Sequence, residues 1–481
     1  MRPGRFTSLL ALAALLSGCG GGGGGGSGSS GSVTPTPSPT STATPTPTTS
    51  CTLASRQKWV LAQLQEWYLF PDLLDSSVNP ASYNNLDDYV DALVAPARAQ
   101  SKDRYFTYVT SIKEENAYYS QGSTAGLGVR LGYDSTARRL YVLEGYEGSP
   151  GLAAGLDRGT EITAIGTSSS NLQTVSSLAA NGGSDAVGNA LGPSTAGTTL
   201  ALQIRQPNGA VSTVTVAKQT YTLPPVSSRY GAKVITDNGR KVGYVNLRTF
   251  VDTADPALRS AFDNFRAQGI TEIIVDLRYN GGGLISIAEL FSNLLNAQRA
   301  GQVLDYTTFR ASKSSQNETT TFTSLPQAVA TTKVAFIGTG NTASASELVI
   351  NAQKPYLGDN AALIGSNTYG KPVGQIALDQ AACDDRLRAI AFRTENSNHE
   401  GDYYTGLAAR MNRTCQADDD IFHPLGDPQE SSIKTALDFL DGRSCTPIQT
   451  TGVAAQSAAG KRLPLATENP TTIQRELLGL F

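Results

Sequence analysis

Ile273-Ile274-Val275-Asp276-Leu277-Arg278-Tyr279-Asn280-Gly281-Gly282-Gly283 begins as an apolar, β-branched run and ends in three consecutive glycines. The run reads as a buried strand, and the glycines as the loop leaving its carboxyl end. Backbone N–H groups in such a loop have no side chains to cover them, which suits a phosphate or an oxyanion. The stretch is not GxGxxG and no GKS or GKT follows, so a nucleotide site is not supported.

The pattern repeats on either side. Val242–Leu247, Lys333–Ile337 and Ala362–Gly365 read as further buried strands. Asp255–Gln268, Ile285–Asn296 and a segment starting at Ser346 read as helices, with Asp255 as the expected N-cap and Pro256 at the first helical position. The alternation predicts an α/β core from Lys241 to about Leu440, with helices over a sheet.

Two more loops carry chemistry. Gly338-Thr339-Gly340-Asn341-Thr342-Ala343-Ser344-Ala345-Ser346-Glu347 links a strand to a helix. Ser344 with Glu347 satisfies a capping box, which is reason enough for a serine there. A strand-to-helix turn can equally hold a nucleophile proud of the backbone, with the next N–H, that of Ala345, aimed at a developing oxyanion. Asn367-Thr368-Tyr369-Gly370-Lys371-Pro372-Val373-Gly374-Gln375 has no acid between Asp359 and Asp379. A lysine buried among such neighbours loses its proton more easily and can act as a base.

Composition narrows the chemistry. The chain has 481 residues, 40% hydrophobic and 16% charged, enough apolar mass for a real core in two to four domains. Lys+Arg number 38 against Asp+Glu 41, so there is no basic excess for nucleic acid. There are two histidines, His399 and His423, and five cysteines without CxxC or HExxH. That argues against a Ser-His-Asp hydrolase and against a metal centre, and no cofactor is expected.

Before the core, residues 117–221 show short alternating runs such as Leu140–Leu143 and Leu200–Ile204 between glycine-rich turns. Gly126-Leu127-Gly128-Val129, and Gly148–Leu156 leading to Gly159–Ile165, resemble a PDZ domain; the alternative is a plain β-rich spacer. The resemblance implies that the Gly126–Val129 loop offers amides to a peptide's C-terminus beside a strand edge that accepts the peptide as an extra strand. Earlier still, residues 55 to about 113 read as helical, with Val60, Leu61, Leu64, Trp67 and Tyr68 on one face and Pro71 ending the first helix. Trp59 and Trp67 are expected in packing rather than in ligand contact.

The three loops, in this order, resemble the S41 family of C-terminal processing peptidases. The resemblance implies a multi-domain α+β and α/β chain: an N-terminal helical segment, a PDZ-like β-rich domain and an S41 α/β core of the ClpP/crotonase-like kind. It implies Ser344 as nucleophile, Lys371 as base, Gln375 as support for the lysine amine, and the amides of Ala345 and Gly282 as the oxyanion hole. The sequence departs from the family pattern at Thr342-Ala343, at Pro372 after the lysine, and in a Ser344–Lys371 gap two residues longer. That gap keeps Ser346 as a rival nucleophile, unless Pro355–Asn360 absorbs the insertion. The rival from another class is an inactive peptide- or ligand-binding lipoprotein on the same fold.

The first residues give an address. Arg2 and Arg5 precede an apolar run too short to span a bilayer, ending in Leu16-Ser17-Gly18-Cys19. This resembles a lipobox with Cys19 as the lipidated residue; the alternative is an ordinary cleaved signal and a secreted protein. Residues 20–50 are a Gly/Ser/Pro/Thr tether. The expected location is the cell envelope, anchored through Cys19 to an outer membrane facing the periplasm, or exported. Partners are protein or peptide substrates there and the membrane, with an oligomer or adaptor left open. Cys51, Cys383, Cys415 and Cys445 remain for up to two disulfides, one of which could tie Cys51 to the chain's far end. The domain order expected is 1–19 signal, 20–50 linker, 51–115 helical, 116–222 PDZ-like, 223–445 core and 446–481 tail. The tail is expected to be loose up to Ile473. Its end, Leu478-Gly479-Leu480-Phe481, is apolar in the manner of a PDZ ligand, which raises self-occupancy or self-trimming.

Overall fold

The computed structural model describes residues 51–450, 462–466 and 470–481. Cys19, the signal-like run and the tether lie outside the described residues.

A six-stranded sheet forms the core, in the order Ala232–Asp237, Arg240–Asn246, Glu272–Asp276, Lys333–Gly338, Ala361–Gly365, Arg413–Gln416. The first two strands are antiparallel and every later pairing is parallel. Side chains alternate between two buried faces, as a strand covered on both sides requires. Ile273, Val275, Val334, Phe336 and Leu363 pack with the helices Ala254–Ala267, Ile285–Leu294 and Ala345–Leu357. Ile274, Ala335, Ile337 and Ile364 face the helix Ser431–Leu440 through Ile433 and Leu437.

One helix start differs from expectation. The helix Ala254–Ala267 begins after Thr253, and Asp255 lies in its first turn. The Asp255 carboxylate takes the Arg259 Nε–H at 2.6 Å, one turn along, and so does not cap the helix.

A second sheet is antiparallel throughout. Asp385–Glu395 pairs with Tyr108–Ser111, Val303–Phe309 and Val373–Gln380. The N-terminal segment packs on it: Val60, Leu64, Tyr68 and Leu93 share a cluster with Val373, Leu387 and Ile390. Its helices are Leu53–Trp67, Leu86–Leu93 and Ala95–Ala99. The run expected to be helical to Lys113 turns instead into the strand Tyr108–Ser111, drawn into the sheet by its pairing with Asp385–Arg388. Cys51 is bonded to Cys383 and Cys415 to Cys445, each pair with Cα atoms 5.4 Å apart.

The β-rich unit is a sheet of Val129–Asp134, Arg139–Gly145, Glu161–Gly166, Thr199–Arg205 and Val211–Ala217, extended at its edges by short strands. Ser149 caps the turn Pro150–Ala153 by accepting the Leu152 amide. This unit is keyed to the core by buried charges. Arg248 reaches Glu144 at 2.7 Å and Glu147 at 2.8 Å, and Arg158 reaches Asp419 at 2.9 Å.

Candidate active site

The three loops singled out above leave the carboxyl ends of three neighbouring parallel strands. Asp276 lies opposite Ile337, and Gly338 opposite Gly365. That is the end of an open α/β sheet where ligand sites form.

The glycine loop is fixed by Asn280, which is fully buried. Its Nδ2 donates to the Leu247 carbonyl at 2.8 Å, and its Oδ1 accepts the Gly282 N–H at 2.9 Å. The Gly282 amide, expected to be free for an oxyanion, therefore has an acceptor in this state. Gly282 has φ +115°, and a Cβ there would sit 2.8 Å from Ser344 Cβ and 3.1 Å from the Ala345 nitrogen. Only glycine permits the two loops to close to this distance. The neighbouring Arg278 is buried and bidentate to Glu430 at 2.8 and 2.9 Å, and also bonds Asp276 at 3.0 Å. That part of the motif is scaffold.

Ser344 is the residue before the helix Ala345–Leu357 and has φ +56°, rare for a side chain other than glycine. It is half-buried. Ser346, two residues on, is fully buried, and its hydroxyl donates to the Asn280 carbonyl at 3.0 Å. Pro355 lies inside the helix, and Gly358–Asn360 forms a short turn before the next strand.

Lys371 is 8% exposed. Its Nζ donates to Gln375 Oε1 at 3.1 Å and lies 5.0 Å from the centre of the Phe106 ring. Gln375 in turn donates to the Phe106 carbonyl. Burial pulls the lysine pKa below its ordinary value; the anions Glu476, Asp103 and Glu347 oppose that, and Arg388 reinforces it. A cavity of about 680 Å³ opens here, lined among others by Lys371, Phe106, Tyr369, Ala343, Gly281 and Glu476.

Glu347 joins the two chemical loops. Its Oε2 accepts the Ser344 and Lys371 amides at 3.1 and 2.7 Å. Its Oε1 accepts the Gly370 amide at 2.8 Å and the Thr368 hydroxyl at 2.6 Å. Burial raises its pKa while these four donors pull it back toward the anion. The sequence showed Glu347 as a helix cap, and its hold on the lysine loop was not visible there. Arg104 and Phe106, which brace the Tyr369–Lys371 turn and back the amine, carried no local signal. Neither histidine takes part: His423 pairs with Asp420, and His399 stacks on Tyr306. Among the described residues no cluster suited to a metal ion occurs.

The Gly126–Val129 loop lies at the end of the β-rich sheet. Gly128 and Val129 donate their amides to the Phe481 carbonyl at 2.8 and 3.3 Å. Leu127 is in the core of that unit.

These loops and their order set the class: an α/β core with a helical N-terminal segment. A model of Peptidase family S41 matches residues 241–399, and one of the Peptidase S41 N-terminal domain matches residues 55–108. The chain thus carries the domains of peptidase family S41. It is 28% identical over 256 residues to the carboxyl-terminal-processing protease of Picosynechococcus sp., covering 52% of this chain and 55% of that one. It is 25% identical over 345 residues to the carboxyl-terminal-processing protease of Synechocystis sp., covering 71% and 74%. The chain thus spans about half the length of the first of these relatives. In fold it is similar to a Bacteroides fragilis protein assigned to the S41 proteases, with TM-score 0.62 and 24% identity over 80% of this chain and 97% of that one.

Proposed function

We propose that the chain is a serine endopeptidase of the C-terminal processing type, working through Ser344, Lys371 and Gln375. The observation that carries this reading is the buried Lys371 amine, held by a neutral amide oxygen rather than a carboxylate. A neutral amine with one N–H on Gln375 keeps its lone pair for a proton. Ser344 Oγ attacks the peptide carbonyl, and Lys371 takes the hydroxyl proton. The carbonyl oxygen becomes an oxyanion, bound by the Ala345 amide and by the Gly282 amide, which exchanges Asn280 for the stronger charged acceptor. Lys371 then gives its proton to the leaving amine, and water releases the acyl group by the same route.

In the same reading the Gly126–Val129 loop and the adjoining strand are a PDZ-like site for substrate C-termini, and the chain is exported and anchored through Cys19. The two disulfides suit an oxidising compartment.

Ser344→Ala and Ser346→Ala, assayed on a casein-type substrate, test the assignment. Ser344→Ala should lose at least about 10⁴-fold in kcat/KM with the fold intact. Ser346→Ala loses one buried hydrogen bond, about 1 kcal/mol, and should remain active. A reversed pattern overturns it.

A further inference from the structure

The strand Val129–Asp134 pairs on one side with Arg139–Gly145. Its other edge is filled by two pieces of the chain's own last stretch. Arg462, Leu463 and Pro464 lie antiparallel to it, opposite Asp134, Tyr133 and Gly132. The Leu465 amide continues the ladder to the Leu131 carbonyl at 3.0 Å. The chain then leaves the edge and returns at Gly479, whose carbonyl accepts the Leu131 amide at 2.8 Å. Leu480 lies opposite Arg130, and the Phe481 amide donates to the Val129 carbonyl at 3.0 Å. One interrupted antiparallel strand thus occupies the edge from Asp134 to Val129. The edge is where a peptide would add as a strand.

The interruption goes to the catalytic cleft. It contains the helical turn Thr472–Glu476. The Glu476 carbonyl packs so closely on Gly281 that a Cβ there would come within 2.1 Å of it. Glu476 Oε1 accepts the Tyr108 hydroxyl at 3.1 Å, and Glu476 lines the same cavity as Lys371. Gln474 braces the return by donating to the Leu480 carbonyl at 2.7 Å. The anchoring side chains are buried as a core would be. Phe481 joins the interior of the β-rich unit, and Ile473, Leu477 and Leu480 pack with Tyr118, Tyr146 and Tyr221. A substrate must lie extended to bring a carbonyl between a serine and an oxyanion site, and a helical turn offers no such bond. The segment walls the cleft as a helical turn rather than as an extended strand.

We infer that residues 462–466 and 470–481 are an intramolecular ligand, occupying the strand edge and walling the catalytic cleft at once, and that the competing ligand is a peptide strand that sets a large apolar residue where Phe481 lies. The inference deepens the proposed function and rests on it for the meaning of the cleft, while the occupancy itself can be read without catalysis.

The probe is a labelled peptide Leu-Leu-Gly-Leu-Phe, and the protein is the full chain carrying Ser344→Ala. Because a ligand's apparent affinity falls by the fraction of open sites, Phe481→Asp in that chain should bind the peptide at least about tenfold tighter. Equal or weaker binding by a folded Phe481→Asp chain overturns the inference. Should that variant fail to fold, hydrogen exchange on the Ser344→Ala chain decides. Saturating peptide should raise exchange in residues 470–481 while amides of Gly128, Val129 and Leu131 stay protected. Unchanged exchange in 470–481 overturns the inference. Neither readout needs turnover, so retained activity of Ser344→Ala would sink the catalytic assignment and leave this test standing.

Discussion

Ser344 and Lys371 are tied by their backbones to one oxygen atom, Glu347 Oε2, at 3.1 and 2.7 Å. The serine turn and the lysine loop follow different strands, and this carboxylate sets their mutual position. A helix cap has become the joint between the two residues proposed as nucleophile and base.

Glu347→Gln tests the joint. A glutamine presents one acceptor oxygen where the carboxylate presents two, so two of its four donors lose their partner. Each buried donor left unpaired costs about 1–3 kcal/mol. The variant should unfold at lower temperature and lose about 10²-fold or more in kcat, because a small misplacement of the pair is expensive in rate. Wild-type kcat in a folded Glu347→Gln protein would contradict the positioning role.

The lysine gives the pH dependence its sign. On the proposed mechanism the base is active when neutral, and the neutral fraction grows as pH rises through its pKa. Burial lowers that pKa, so the acid limb of kcat/KM should fall below a lysine's ordinary range. Gln375→Glu places a carboxylate where Oε1 now lies 3.1 Å from Nζ. It favours the ammonium form and should move the acid limb up by about 1–3 pH units, with a lower rate at neutral pH. Profiles of the two proteins between pH 5 and 10 that superimpose would show that Lys371 is not the titrating base.

The Cys51–Cys383 bond spans 332 residues. It fastens the start of the first helix next to the strand Val373–Gln380 that carries Gln375. Constraining so long a loop is worth about 6 kcal/mol in the chain-entropy account. Cys51→Ser with Cys383→Ser should lower the melting temperature by several degrees and increase hydrogen exchange in residues 53–67. An unchanged melting curve would mean that the helices hold without the bond.

The four inner strands of the core were legible in the sequence because each is a short apolar run; the edge strands Ala232–Asp237 and Arg413–Gln416 are not such runs and went unread. Ile273–Leu277, Lys333–Ile337 and Ala362–Gly365 all fall on or within one residue of observed strands. Other features depend on residues distant in sequence. Nothing near Lys371 announces that Phe106 will back its amine. The turn from helix to strand at Tyr108 is imposed by Asp385–Arg388, and the partner of the Gly282 amide is an asparagine side chain two residues away whose rotamer is set by the Leu247 carbonyl. The end of the chain was expected to be loose up to Ile473. Arg462–Pro464 is instead ordered by a strand more than 300 residues earlier, an edge that no local propensity reveals.

Phe106 and Tyr108 precede the lysine by more than 260 residues, yet they wall the cavity that the lysine lines. On the proposed mechanism, a polypeptide still being synthesised or threaded across a membrane owns the serine and the lysine before the remaining chain has folded around them. A wetted amine keeps its charge, so the newborn molecule stays harmless to its neighbours until both halves have met.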